Sequence, residues 1–159
     1  MPGRKRRLYW DANCFIALFN SEPTTPRAVL DALQTTFDEM LAGKVKILTS
    51  DVYRAEVFGK DSTEGQLIAE QFEACPHFEI VPLRTQAWGM AGEMAKHCHA
   101  AKPARKLKPL DAAHIAGGTL ARVDEIWTTD LKLVRYYEDG LLTQVKVCLP
   151  YLTQLRIGF

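Results

Sequence analysis

Five short runs rich in β-branched and aromatic residues recur along the chain with longer helical stretches between them. That alternation restricts the fold more than any other feature of the sequence. The runs occupy residues 7–10, 45–48, 78–81, 125–128 and 145–148. Between them lie stretches rich in Ala, Leu, Glu and Lys. Val29, Leu30, Leu33, Phe37, Met40 and Leu41 fall at helical spacing and predict a helix over residues 26–41. Ser50 reads as the N-cap of a helix reaching Val57, and Thr85 opens another through Trp88, Ala91, Met94 and Ala95. Pro109 stands where the first-turn proline of a helix to about Arg122 belongs. Short strands alternating with helices form βα units, so the expected class is α/β with a mostly parallel sheet. A length of 159 residues suits one domain, taken as residues 1–159 with a basic tail over 1–6.

Composition removes several classes. Hydrophobic residues make up 47% of the chain and charged residues 25%, close to the globular average, which argues against disorder. A formal net charge of +1 excludes a uniformly basic nucleic-acid coat but permits a local patch. No apolar run approaches the ~18 residues a membrane helix needs. Asp11 and Asn13 precede the apolar stretch at residues 14–19, which does not suit a signal peptide, so a cytoplasmic location is expected. The 4 cysteines are widely spaced and form no C-x-x-C, which excludes a zinc ribbon or thioredoxin motif. The His97-Cys98-His99 and Cys75-Pro76-His77 clusters are read as structural. The clearest shift in composition is residues 96–108, where Lys96, Lys102, Arg105, Lys106 and Lys108 occur with no acidic residue. Such a stretch suits a phosphate-contacting loop as well as a solvated one.

In an open α/β sheet, ligands bind outside the carboxyl ends of the strands. Asp11 directly follows the first run, with Asn13 two residues on. Thr49 and Ser50 follow the second, and Glu56 lies in the helix after it. Thr128, Thr129 and Asp130 end the fourth run, and Asp111 sits in the first turn of the helix that feeds it. Singly, each acid suits a helix cap or first turn. Gathered at one sheet edge, four carboxylates repel one another, and a divalent cation removes that repulsion. Hard oxygen ligands suit Mg2+ or Mn2+, which keep waters and take a few carboxylates plus substrate phosphate.

Here the residues resemble a known family. Asp11-Ala-Asn13-Cys-Phe-Ile, Thr49-Ser50-Asp-Val-Tyr-Arg-Ala-Glu56-Val, Pro109-Leu-Asp111-Ala-Ala-His114-Ile-Ala116 and Ile126-Trp-Thr-Thr129-Asp130 resemble, in order, the four motifs of a PIN domain of the VapC toxin type. The resemblance spans residues 8–148. It implies a three-layer α/β/α fold with a central five-stranded parallel sheet. It further implies a metal-dependent endoribonuclease, the toxin of a type II toxin–antitoxin pair, with Mg2+ or Mn2+ as cofactor. Asp11, Glu56, Asp111 and Asp130 would be the catalytic and metal-binding acids. Asn13, Thr128 and Thr129 would orient those groups or water. His114 is read as a histidine packed between helix and sheet. Lys102, Arg105, Lys106 and Lys108 are expected to hold the RNA backbone. The implied partners are the RNA substrate, a cognate antitoxin and a second copy of the chain, with no membrane. Trp10, Trp88, Trp127, Leu141 and Leu142 are the apolar residues offered for dimer contact. The chain departs from the smaller toxins in extra length around residues 85–108.

Other readings fit less well. A stand-alone RNA-processing nuclease or a catalytically silent RNA-binding domain would share the fold. An aspartyl phosphatase wants a second Asp two residues after the nucleophile, where this chain has Asn13. A response-regulator receiver wants an acidic pair after strand one. No Gly-x-Ser-x-Gly, P-loop or Gly-x-Gly-x-x-Gly supports a rival nucleophilic or nucleotide-binding chemistry.

Overall fold

In the computed structural model, which describes residues 3–20, 23–58, 63–104 and 106–153, the chain alternates strands with helices throughout. The elements run β1 (Arg6–Trp10), α1 (Ala12–Asn20), α2 (Arg27–Leu41), β2 (Val45–Ser50), α3 (Tyr53–Phe58) and α4 (Thr63–Ala74). They continue with β3 (Phe78–Val81), α5 (Thr85–Ala101), α6 (Pro109–Leu120), β4 (Glu125–Trp127), α7 (Leu131–Glu138) and β5 (Lys146–Cys148). The five strands form one sheet in the order β3-β2-β1-β4-β5, and every pairing is parallel. The α/β class, the strand count and the parallel sheet are as the sequence predicts.

Alternation along each strand builds the three layers. Leu8 and Trp10 of β1, Val45 and Ile47 of β2, and Trp127 of β4 face the side covered by α1, α2 and α4. Tyr9, Leu48, Ile126 and Val147 face the side covered by α5, α6 and α7. The first core is aromatic. Phe72 of α4 stands 4.6 to 6.0 Å, centroid to centroid, from Trp10, Phe15, Phe19, Phe37 and Phe78. Tilted and edge-on pairs of this kind each add about 0.5–1.5 kcal/mol beyond the area they bury.

The second core depends on close approach. α6 is buried from Ala112 through Gly118. A Cβ added at Gly118 would come within 2.8 Å of Ile126 Cδ1, and one at Gly117 within 2.9 Å of Leu83. The two glycines let α6 lie directly on the sheet, which fixes where its first turn, and hence Asp111, meets the strand ends.

The chain leaves β1 toward β2 and β3, then returns to the other side of β1 for β4 and β5. The connection therefore changes direction between β1 and β4, and a crevice opens at the carboxyl ends of strands at such a point. The opposite edge is closed by charge pairing. Glu125 accepts from Arg6 at 3.0 Å, Lys146 at 3.3 Å, Trp127 Nε1 at 2.9 Å and Tyr151 at 2.5 Å. Arg4 pairs with Asp124. Arg6 belongs to β1, so the strand takes in the last residue of the expected tail.

Two expectations are corrected. Ser50 is the last residue of β2 and not a helix cap, because pairing with Val81 extends the strand and α3 starts only at Tyr53. Trp10, Trp127 and Leu142 are not surface contacts; each is at most 1% exposed, and the two indoles stack on each other 6.3 Å apart. Of the three tryptophans only Trp88 is exposed, at 42%. Among the described residues, no helix is long and apolar enough to cross a membrane.

Candidate active site at the carboxyl edge of the sheet

Asp11 occupies the switch point. Its main-chain N–H donates to the Trp127 carbonyl over 3.1 Å, which continues the β1–β4 ladder by one residue and points the side chain past the end of the sheet. The carboxylate is buried, at 2% exposure. Oδ1 accepts the Cys14 N–H at 3.3 Å, while Oδ2 is buried with no hydrogen-bond partner among the described residues. Trp10 Nε1 is the one other buried side-chain polar atom found in that condition. The Asp11 pKa is raised to about 6, chiefly by burial and also by the Asp111 charge. His114, the Thr128 hydroxyl and the Cys14 N–H act against that rise.

Asp111 lies in the first turn of α6 behind Pro109 at the helix start. Its pKa is also raised, first by burial and then by the charges of Asp130 and Glu56; His114 and Lys108 oppose the rise. Asp111 thus feels the charges of the other three acids, Asp11 included. Asp130 is the N-cap of α7. Its Oδ1 accepts from the Lys132 N–H at 2.9 Å, and its own N–H donates to Thr128 Oγ1 at 3.0 Å. Glu56 lies on α3, and its Oε2 stands 3.2 Å from His114 Nε2.

The four predicted acids therefore share one end of the sheet and one electrostatic neighbourhood. Their oxygens are not gathered into a ready-made cage. Among the described residues no three His, Cys, Asp or Glu groups stand together closely enough to hold an ion. Glu56 is engaged by His114, and Asp130 by the start of α7. The donor chemistry nevertheless fits a hard divalent cation. One buried carboxylate oxygen lacks a partner, and two carboxylates are pushed toward neutrality by burial and by like charge, which a cation reverses.

The remaining predicted residues sort by position. Thr128 is buried; its Oγ1 accepts from the Asp130 N–H, and its hydroxyl opposes the rise of the Asp11 pKa. Asn13 is half-buried in the first turn of α1. Thr129 opens on a groove of about 320 Å³ lined also by Thr24, Pro26, Val29, Leu131 and Leu149. Lys102 ends α5 and Lys108 precedes α6; both are exposed, as is Lys106. Lys108 is near enough to Asp111 to oppose its charge shift. Arg105 lies outside the described residues.

His114 belongs to this site, which its reading as a packed core histidine missed. It is 2% exposed and is packed between α6 and the sheet, but both ring nitrogens are engaged. Nδ1 stands 2.6 Å from the Tyr9 hydroxyl and 3.4 Å from Ser50 Oγ. The available signal was a single ionisable residue, one turn after Asp111, on a helix face otherwise built of alanine, glycine and isoleucine.

No family model and no curated protein matches the chain. Solved structures do. The VapBC2 complex of Rickettsia felis, bound to a DNA fragment from its promoter, contains a chain that superposes with a TM-score of 0.62 at 14% identity, covering 90% of this chain and 98% of that one. VapC20 of Mycobacterium tuberculosis, described as a Sarcin-Ricin loop cleaving toxin, gives 0.59 at 12% identity, covering 87% and 98%. FitAcB of Neisseria gonorrhoeae gives 0.57 at 15% identity, covering 90% and 97%. The likeness spans nearly the whole of both partners in each case, so the chain has the fold of these structures, the PIN-domain fold.

Proposed function

We propose that this chain is a divalent-metal-dependent endoribonuclease, the toxin member of a toxin–antitoxin pair. The observation that carries this reading is the unpartnered, buried Oδ2 of Asp11 at the sheet's switch point, beside three further acids that raise or share its charge problem. Asp11 and Asp111 would hold Mg2+ or Mn2+ with Glu56 and Asp130. Such a cation, when bound, activates water for attack on phosphorus and neutralises charge on the phosphate.

The chain's own residues supply the rest. The Cys14 N–H holds the Asp11 carboxylate, and Thr128 holds the main chain of Asp130. Lys108, beside Asp111, begins a cationic rim that continues through Lys106 to Lys102 and attracts a phosphate backbone that the acids alone would repel. The groove beside Thr129 gives a strand room next to Asp130. None of these groups needs to become a covalent nucleophile. The toxin role is supported by two structural neighbours of Mycobacterium tuberculosis: VapC20 is described as a cleaving toxin and VapBC-5 as a member of a family of toxin–antitoxin systems. By the same analogy the chain would bind an inhibitor protein and would form a homodimer.

The test is a substrate panel. Purified chain with Mg2+ or Mn2+ is expected to cut single-stranded RNA and to leave p-nitrophenyl phosphate untouched. Phosphomonoester hydrolysis without RNA cleavage would replace this reading with a phosphatase.

A further inference from the structure

Elements carrying three of the four acids meet at one imidazole. His114 of α6 lies one turn beyond Asp111. Its Nε2 stands 3.2 Å from Glu56 Oε2 on α3. Its Nδ1 stands 2.6 Å from the hydroxyl of Tyr9, two residues before Asp11 on β1. Ser50 Oγ, at the end of β2, is 3.4 Å from the same nitrogen.

A buried imidazole is tolerated when both nitrogens are paired, and a neutral one has a single donor and a single acceptor nitrogen. A carboxylate only accepts, so Nε2 carries the hydrogen toward Glu56. Nδ1 is then the acceptor, and the Tyr9 hydroxyl donates to it. Ser50 Oγ, at 3.4 Å, is a second hydroxyl within reach of the same nitrogen. Donation runs in one direction: Tyr9 to His114, and His114 to Glu56. The assignment follows from the network.

The seat of α6 on the sheet does not depend on this chain of bonds. α6 is already seated on the sheet through Gly117 and Gly118. The Glu56 side chain at the far end is 24% exposed, so the bond that pairs the buried Nε2 also fixes an acid that is otherwise open to solvent. What the relay does is orient one acid of the site.

We propose that His114 is a positioning residue: the Tyr9 hydroxyl fixes its Nε2–H tautomer, and that hydrogen orients the Glu56 carboxylate for joining Asp111 around the cation. The proposal rests on the reading of the four acids as a cation site. Carboxylates that bind metals are commonly hydrogen-bonded from behind, and loss of such a partner weakens metal affinity about 10–100-fold.

The experiment measures Mn2+ affinity by electron paramagnetic resonance on the full chain, with melting temperature recorded in the absence of metal. Tyr9→Phe combined with Ser50→Ala removes both hydroxyls near Nδ1 and leaves the ring in place. This variant and His114→Leu are expected to weaken Mn2+ binding about 10–100-fold. His114→Gln, whose amide N–H can replace Nε2–H, is expected to keep most of it. In a Glu56→Gln background, the Tyr9 and Ser50 substitutions should cause no further loss. Nitrogen-15 spectra of the metal-free chain should show the Nε2–H tautomer at His114, which is a readout independent of metal. A purely structural role would lower the melting temperature of all three variants and leave their Mn2+ affinity equal to wild type. That result, or an Nδ1–H tautomer, overturns the proposal. A wild-type chain that binds no Mn2+ overturns the cation site and this proposal with it. Tight wild-type binding that is undiminished in the Tyr9–Ser50 variant overturns the positioning role alone.

Discussion

The main-chain N–H of Asp11 donates to the carbonyl of Trp127 over 3.1 Å. This single bond joins the end of the first strand to the end of the fourth at the point where the sheet changes direction. It also carries the Asp11 carboxylate into a buried position where one oxygen meets no donor.

The first expected consequence concerns stability without metal. Asp11→Asn keeps an oxygen for the Cys14 N–H and removes a charge that burial disfavours. The amide resembles the protonated acid in shape and polarity. The metal-free variant should melt on the order of 5 °C above wild type at pH 7.5, since ~1 kcal/mol moves the midpoint of a domain this size by roughly 2–4 °C. Calorimetry in EDTA checks this. A lower melting temperature would show that the Asp11 charge is satisfied in the fold.

The pH dependence follows with a definite sign. Burial holds Asp11 at about 6 in the folded chain, above its ordinary value of 3.8, so the folded state binds the proton more tightly than the unfolded one. The associated stability is fully present below about pH 4 and is lost as pH rises through about 6, by at most about 3 kcal/mol. Glu73 and Glu125 shift in the opposite direction. The informative curve is therefore wild type minus Asp11→Asn, measured by urea denaturation from pH 4 to 8. The difference should grow from about pH 4 to about 6, level off above that, and disappear when Mn2+ is added. A flat difference curve would contradict the assignment.

Fold stability rests on a different residue. Phe72 meets five aromatic rings, and truncation to Ala leaves a cavity that its rigid neighbours cannot fill. The expected cost is about 3–5 kcal/mol, read by urea denaturation. RNA cleavage per folded molecule should be unchanged. A cost below about 1 kcal/mol would mean that the aromatic cluster repacks.

The basic rim makes a prediction in salt. Replacing Lys102, Arg105, Lys106 and Lys108 by Ala should weaken binding to all RNAs about equally and leave the cleavage site unchanged, because phosphate contacts position a strand without reading it. Each lost contact should reduce the slope of log affinity against log salt by ~0.7 for a single strand. An unchanged slope would place the RNA path elsewhere. Arg4 and Arg6 offer little alternative, since they pair with Asp124 and Glu125 at the opposite edge of the sheet.

Much of this architecture was legible in the sequence because period and polarity change sharply at the strand ends. Leu8, Tyr9 and Trp10 lead directly to Asp11, and Ile126 and Trp127 lead through two threonines to Asp130, so both acids could be placed at a sheet edge. Ser50 was misjudged because a hydroxyl residue before a helix looks the same whether it caps that helix or ends a strand; pairing with Val81 decides it. Trp10 and Trp127 read in the sequence as surplus apolar surface because short strands hide their alternation, whereas in the fold the two rings stack inside one core. His114 was legible as buried but not as part of the site. Its partner Tyr9 is 105 positions away, and nothing local marks the pair.

The most direct measurement is the rate of RNA cleavage across a Mg2+ titration from zero, with EDTA controls, for wild type and Asp111→Asn in parallel. Asp111 is the acid whose charge is coupled to the other three. Wild-type cleavage should rise from nothing to saturation with Mg2+, and Asp111→Asn should lose at least a hundredfold in rate while keeping a cooperative melting transition. Cleavage by wild type in EDTA, or an Asp111→Asn chain that cuts at the wild-type rate, would contradict the account.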